Sequence, residues 1–90
     1  MMFKKFDRLP KTVEAVQFTD ENKDLVFNSL TGRHCADFEK GKPIVKVETI
    51  HGETAVVRIG DWIVKEPKLG YYYPIKDDIF KAGYIAAKGG

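Results

Sequence analysis

Residues 53 to 75, E-T-A-V-V-R-I-G-D-W-I-V-K-E-P-K-L-G-Y-Y-Y-P-I, decide how this chain folds. They hold the longest alternating apolar run, the only tryptophan, three of the four tyrosines and two of the four prolines. T-A-V-V-R-I (54 to 59) and W-I-V-K (62 to 65) read as strands, because β-branched and aromatic side chains suit a pleated, half-buried surface. Gly60-Asp61 interrupts the run. Glycine permits unusual backbone angles and the aspartate accepts from nearby N–H groups, so the pair predicts a bulge or sharp bend. E-P-K-L-G (66 to 70) is a turn by composition. Residues 71 to 75 then form the last strand, with Pro74 near its edge.

Working outward, I-V-K-V-E-T-I (44 to 50) is a strand, and His51-Gly52 joins it tightly to residues 54 to 59. Two apolar runs flanking a two-residue loop with glycine predict a β-hairpin. T-V-E-A-V-Q-F (12 to 18) reads as the first strand. Val16 and Phe18 share a face with Glu14, while Val13 and Ala15 share the other with Gln17. Both faces are therefore expected to be partly covered. Thr19, Asp20 and Asn22 carry short side-chain oxygens suited to a helix start. A helix is expected from about 21 to 31, with Leu25, Val26 and Leu30 as its apolar stripe, Phe27 at the edge, and Gly32 as a left-handed stop. Residues 33 to 42, R-H-C-A-D-F-E-K-G-K, are the least patterned and read as a loop with a short turn around Phe38. Pro10 punctuates the weak alternation of residues 3 to 9.

Asp77 and Asp78 open a short C-terminal helix, with their negative charge at its positive end. Gly83 stops it, and the final A-A-K-G-G reads as a frayed tail. The order predicts an α+β fold: a small antiparallel sheet of about four or five strands, one helix after the first strand, and a short C-terminal helix. The 90 residues make a single domain, with its core between about 12 and 84.

Composition narrows the function. A chain this short buries only about 60–65% of its unfolded surface and has little mass for a deep active site. With 15 basic and 13 acidic residues the net charge is +2, which argues against a nucleic-acid partner. One cysteine, Cys35, allows no internal disulfide and points to an intracellular protein. No apolar leader and no run near the ~18 apolar residues of a membrane span is present. Two consecutive methionines leave the start position open.

No constellation of residues points to an enzyme. His34, Cys35, Asp37 and His51 have no zinc spacing, so no metal site is expected. Cys35 lacks a facing base, so no nucleophile is expected. Asp77 and Asp78 stand where a helix wants acceptors, and Asp61 where a turn does. No phosphate loop is present and no cofactor is implied. What remains is an aromatic and basic set: Trp62, Lys65, Lys68, Tyr71, Tyr72 and Tyr73. On a strand Tyr72 must face away from Tyr71 and Tyr73, so at least one tyrosine is expected to be exposed. These six residues form the candidate contact surface, for a protein or for a planar ligand.

The strings V-E-A-V-Q-F, I-G-D-W-I-V-K and Y-P-I-K-D-D-I-F-K-A-G-Y resemble a family of short phage and prophage accessory proteins. Its hallmark is a Gly-Asp-Tyr or Gly-Asp-Trp strand followed by Tyr-Pro-x-x-Pro-Asp-Ile-Phe and a later tyrosine. The resemblance spans residues 12 to 84. This chain has Asp77 where the family has proline, and Ile59 where proline is common before Gly60. The family offers no catalytic residues to carry over. The resemblance implies a phage-encoded accessory protein in the cytoplasm of an infected bacterium. The leading expectation is a non-enzymatic module that binds a host or phage protein, inhibiting a host defence or regulatory factor. The alternative is a small-ligand binder that sequesters a nucleotide signal as a homo-oligomer.

Overall fold

A computed structural model describes residues 2 to 8 and 11 to 86. Pro10 and the last four residues of the expected tail lie outside them. The elements run β1 (Lys4–Arg8), β2 (Lys11–Gln17), α1 (Lys23–Ser29), β3 (His34–Glu39), β4 (Lys42–Glu48), β5 (Thr54–Arg58), β6 (Trp62–Lys65), β7 (Tyr72–Ile75), α2 (Asp77–Gly83) and the two-residue β8 (Ile85–Ala86). The fold is α+β and mostly antiparallel sheet, as the sequence predicts. The strands divide between two sheets, however. One has the order β7-β6-β2-β1-β8 and the other β3-β4-β5.

The division occurs at Gly60-Asp61. The predicted hairpin is β4–β5, with Val45 opposite Val57 and Val47 opposite Ala55, but its loop is residues 49 to 53 and not the two residues expected, the Thr49 N–H donating to the Glu53 carbonyl at 2.8 Å. Beyond it Gly60 takes φ +99°, a left-handed conformation that glycine adopts freely. The Gly60 N–H donates to the Phe18 carbonyl at 2.7 Å, and the Phe18 N–H donates to the Asp61 carbonyl at 2.8 Å. The Asp61 carboxylate accepts from the Arg58 N–H at 3.0 Å. The bend thus carries the chain from the smaller sheet into the larger, where β6 pairs with β2 and β7.

Both faces of the larger sheet are covered, which explains the imperfect alternation of β2. On one face Val16, Phe18, Ile63 and Tyr72 join Val45, Val47 and Val57 of the smaller sheet, with Val26 of α1 and Leu30 just after it closing the core. On the other, Ala15 and Val64 pack under Phe80 and Tyr84, with Phe6, Val13, Trp62, Tyr73 and Ile75 around them. Burying a side chain such as Ile63 or Val57 contributes roughly 1.5–3 kcal/mol.

Besides strand β1, which precedes the expected first strand, two expectations change. The first helix is shorter than expected: Thr19 and Asn22 exchange hydrogen bonds, the Thr19 N–H donating to Asn22 Oδ1 at 2.8 Å and the Asn22 N–H to Thr19 Oγ1 at 3.2 Å. This reciprocal arrangement precedes α1, and Leu30 ends it in an extended conformation. Leu25 is exposed; the buried positions are Val26 and Leu30, four apart on one face. Gly32 is left-handed at φ +74° but stands in the turn before β3. An added Cβ there would lie 2.4 Å from the Gly70 carbonyl oxygen. The α1–β3 and β6–β7 turns therefore meet backbone to backbone.

The second correction concerns residues 33 to 42. They form strand β3 and its tight turn into β4, not a loop. The middle four residues of β3 are exposed. A strand without an apolar row gives no alternating signal, and β3 is held by its pairing with β4.

Candidate interaction surface

The six predicted contact residues do not form one surface. Register places Trp62 and Tyr73 on the α2 face of the larger sheet, in the second core cluster. The Trp62 ring stacks on Phe80 at 3.9 Å and meets Phe6 edge-on at 5.3 Å. Phe80 in turn stacks on Tyr84 at 4.4 Å. Lys65 lies on the opposite face, its Nζ 4.6 Å from the Phe3 ring centroid and 3.5 Å from Glu14 Oε1. Tyr72 is buried between the sheets, and its hydroxyl accepts from the Thr31 N–H at 2.9 Å. Lys68 and Tyr71 sit together at the turn, the Nζ 5.1 Å from the ring centroid. The alternation of the strands scatters these residues over three places. Tyr72 is corrected from candidate contact residue to core residue.

Asp77 has a role the sequence does not show. No side-chain cap bond forms at the start of α2. Instead Oδ1 accepts from the Trp62 indole N–H at 2.9 Å and from Gln17 Nε2 at 3.2 Å. Oδ2 pairs with Lys81 Nζ at 3.0 Å. Gln17 and Trp62 are opposite each other in the β2–β6 ladder, so both reach one carboxylate. The Trp62 hydrogen bond first, and then Lys81, hold the Asp77 carboxyl below the usual carboxylate range.

A candidate interaction surface lies instead where the sequence reads as a loop. A groove of about 270 Å³ opens between α1 and the β3–β4 hairpin. Phe18, Phe27, Ala36, Phe38, Pro43 and Val45 give it an apolar lining, and Lys23 and Asp24 of α1 add charge. Phe38 is 71% exposed, a large apolar ring in water beside an apolar groove. At the other end of β3, His34 meets Phe27 edge-on at 4.8 Å.

The far face of the smaller sheet is polar and braced. Asp37 and Arg58 flank Ile44 in register. Arg58 spans β4 to hold Glu39 on two bonds, Nε to Oε1 at 2.7 Å and Nη2 to Oε2 at 3.0 Å. Lys46 pairs with Asp37 at 3.3 Å. These pairs shelter Ile44, which is 6% exposed on a mostly polar face that it shares with Val56. Hydrogen bonding from Arg58 lowers the Glu39 carboxyl. The Phe38 N–H, followed by Lys46, lowers that of Asp37.

Strand β3 is an edge of the smaller sheet. Phe38 stands opposite Pro43, which has no N–H, and the Phe38 N–H donates to Asp37 Oδ1 at 2.7 Å. That pair therefore exchanges no ladder bonds. Bonded and non-bonded pairs alternate in an antiparallel ladder. His34, Ala36 and Phe38 consequently turn their backbone groups outward, away from β4. Among the described residues no strand covers them.

Among the described residues no three His, Cys, Asp or Glu side chains gather to hold a metal ion. No described helix is long and apolar enough to cross a membrane. No family model, curated protein or solved structure matches this chain. The signal that could have marked the groove is Phe38 itself, a lone large apolar residue in a charged segment.

Proposed function

We propose that this chain is a phage-encoded accessory protein that acts without catalysis in the cytoplasm of an infected bacterium. It binds a host protein and inhibits or modulates it. The observation that carries this reading is the exposed Phe38 ring on an apolar groove beside an uncovered strand edge. Solvent-exposed aromatic anchors beside concave apolar surface are characteristic of binding hot spots. The phage origin rests on the motif resemblance alone.

The test is capture from bacterial lysate with wild-type protein and the Phe38→Asp variant in parallel. The expected result is a host protein retained by wild type and lost with the variant. Equal retention by both would remove the groove from the reading. A melting temperature raised several degrees by a cyclic nucleotide would favour the nucleotide-sequestering alternative, because a ligand of the folded state stabilises it.

A further inference from the structure

We infer that β3 is a self-association edge: two copies pair antiparallel through β3, about a two-fold axis at Ala36, to make a continuous six-stranded sheet. This identifies the occupant of the strand edge as a second copy, and it rests on the reading of this side as a protein-interaction surface.

The register follows from which backbone groups are available. His34, Ala36 and Phe38 face outward, and only registers that set outward groups against outward groups can bond. Centring on Ala36 uses all three. Ala36 meets Ala36 of the second copy, and His34 meets Phe38 of the second copy twice over. Shifting the pairing by two residues toward the C-terminus would set Asp37 against Asp37, two like charges at the axis. Shifting it as far the other way would leave Phe38 opposite Gly32, beyond the partner strand.

The Ala36-centred register is also complementary in side chains. Arg33, just before β3, has no ion pair with another described residue. In this register it comes opposite Glu39 of the second copy, whose carboxylate that copy's Arg58 already holds, so Arg33 adds a second cation beside an existing pair. The small Ala36 side chains meet at the axis without crowding. His34 and Phe38 lie on the α1 side of the sheet, so each exposed Phe38 ring comes to rest beside the His34 that Phe27 already contacts. The two grooves then adjoin across the shared edge. The Asp37 carboxylate guards the edge by holding the Phe38 N–H, and it must release that N–H when the strands pair. Such an isologous contact closes on itself and stops at two chains.

Two variants test this. Ala36→Pro removes only an outward N–H, a position at which an edge strand tolerates proline. Ala36→Cys in a Cys35→Ser background places one thiol at the axis, where the Cα separation of about 5.5 Å suits a disulfide. Light scattering after size exclusion should give twice the chain mass for wild type and one chain mass for Ala36→Pro. The cysteine variant should cross-link to a covalent dimer under mild oxidation. A wild-type protein that stays at one chain mass, with no cross-link from the cysteine variant, overturns the inference. So does an Ala36→Pro protein that remains a dimer, since another surface would then hold it. Lysate capture by a monomeric wild type would leave the host-binding reading standing while the dimer falls. A dimer that captures nothing would do the reverse.

Discussion

The Trp62 indole N–H donates to Asp77 Oδ1 at 2.9 Å, and this bond ties β6 to the start of α2. Gln17 and Lys81 converge on the same carboxylate. Asp77→Ala should therefore loosen α2 from the sheet. Tryptophan emission should shift to the red and the melting temperature should fall. Unchanged emission would show that the Phe80 stack alone places the ring.

The same carboxyl predicts a pH dependence with a definite sign. Its folded pKa lies below the usual value. Its contribution to stability is then complete above about pH 5, where an unfolded aspartate is almost fully ionised. That contribution is lost as the pH falls through the folded value. Asp37 and Glu39 are lowered too, so wild type should lose melting temperature in acid through all three. Asp77→Ala should lose less over the same interval. Parallel melting curves for the two proteins would show that Asp77 carries no linkage.

Gly32 and Gly70 make a second joint. Both are left-handed, and the Gly70 carbonyl oxygen occupies the space a Gly32 side chain would need. Gly52, in the β4–β5 turn, is also left-handed at φ +80° but has open space around it. Alanine at Gly52 should cost about 1–2 kcal/mol, for the backbone conformation alone. Alanine at Gly32 should cost more, because the two turns must also move apart. Denaturant melts of the two variants compare the costs directly, and equal losses would mean that the turns part freely.

Tyr72 binds the same two segments through its hydroxyl, which meets the Thr31 N–H at 2.9 Å and Thr31 Oγ1 at 3.2 Å. Tyr72→Phe should cost about 1 kcal/mol in chemical denaturation. Tyr71→Phe should cost little, since the ring keeps its contact with Lys68.

None of these joints was legible in the sequence, whereas several elements were. The strands of residues 54 to 65, the hairpin, the bend at Gly60-Asp61 and the short last helix all follow from period-two apolar patterns and turn residues. That the bend passes the chain to another sheet does not follow, because both sheets show the same local alternation. Strand β3 was illegible for a physical reason: its middle residues are exposed, so no apolar row marks it. The candidate surface failed for a related reason. Tyr71, Tyr72 and Tyr73 stand together in sequence, but the pleat sends Tyr72 and Tyr73 to opposite faces, and Trp62 lies in a core that α2 completes. The aromatic residue that is mostly exposed, Phe38, sits in the segment with the weakest pattern.

Phe38 therefore gives the sharpest contrast between folding and binding. Its ring is 71% exposed, so little of it is withdrawn from water in the folded chain. Phe38→Ser should change stability by no more than about 0.5 kcal/mol. Ile63 is fully buried in the core between the sheets. Ile63→Ala should cost about 2–5 kcal/mol through lost burial and the cavity it leaves. Binding should follow the opposite order. Measured where both variants remain folded, Phe38→Ser should release the host protein captured by wild type, and Ile63→Ala should retain it. If Phe38→Ser instead destabilised the fold as much as Ile63→Ala, Phe38 would be part of the core and the groove would have no exposed anchor.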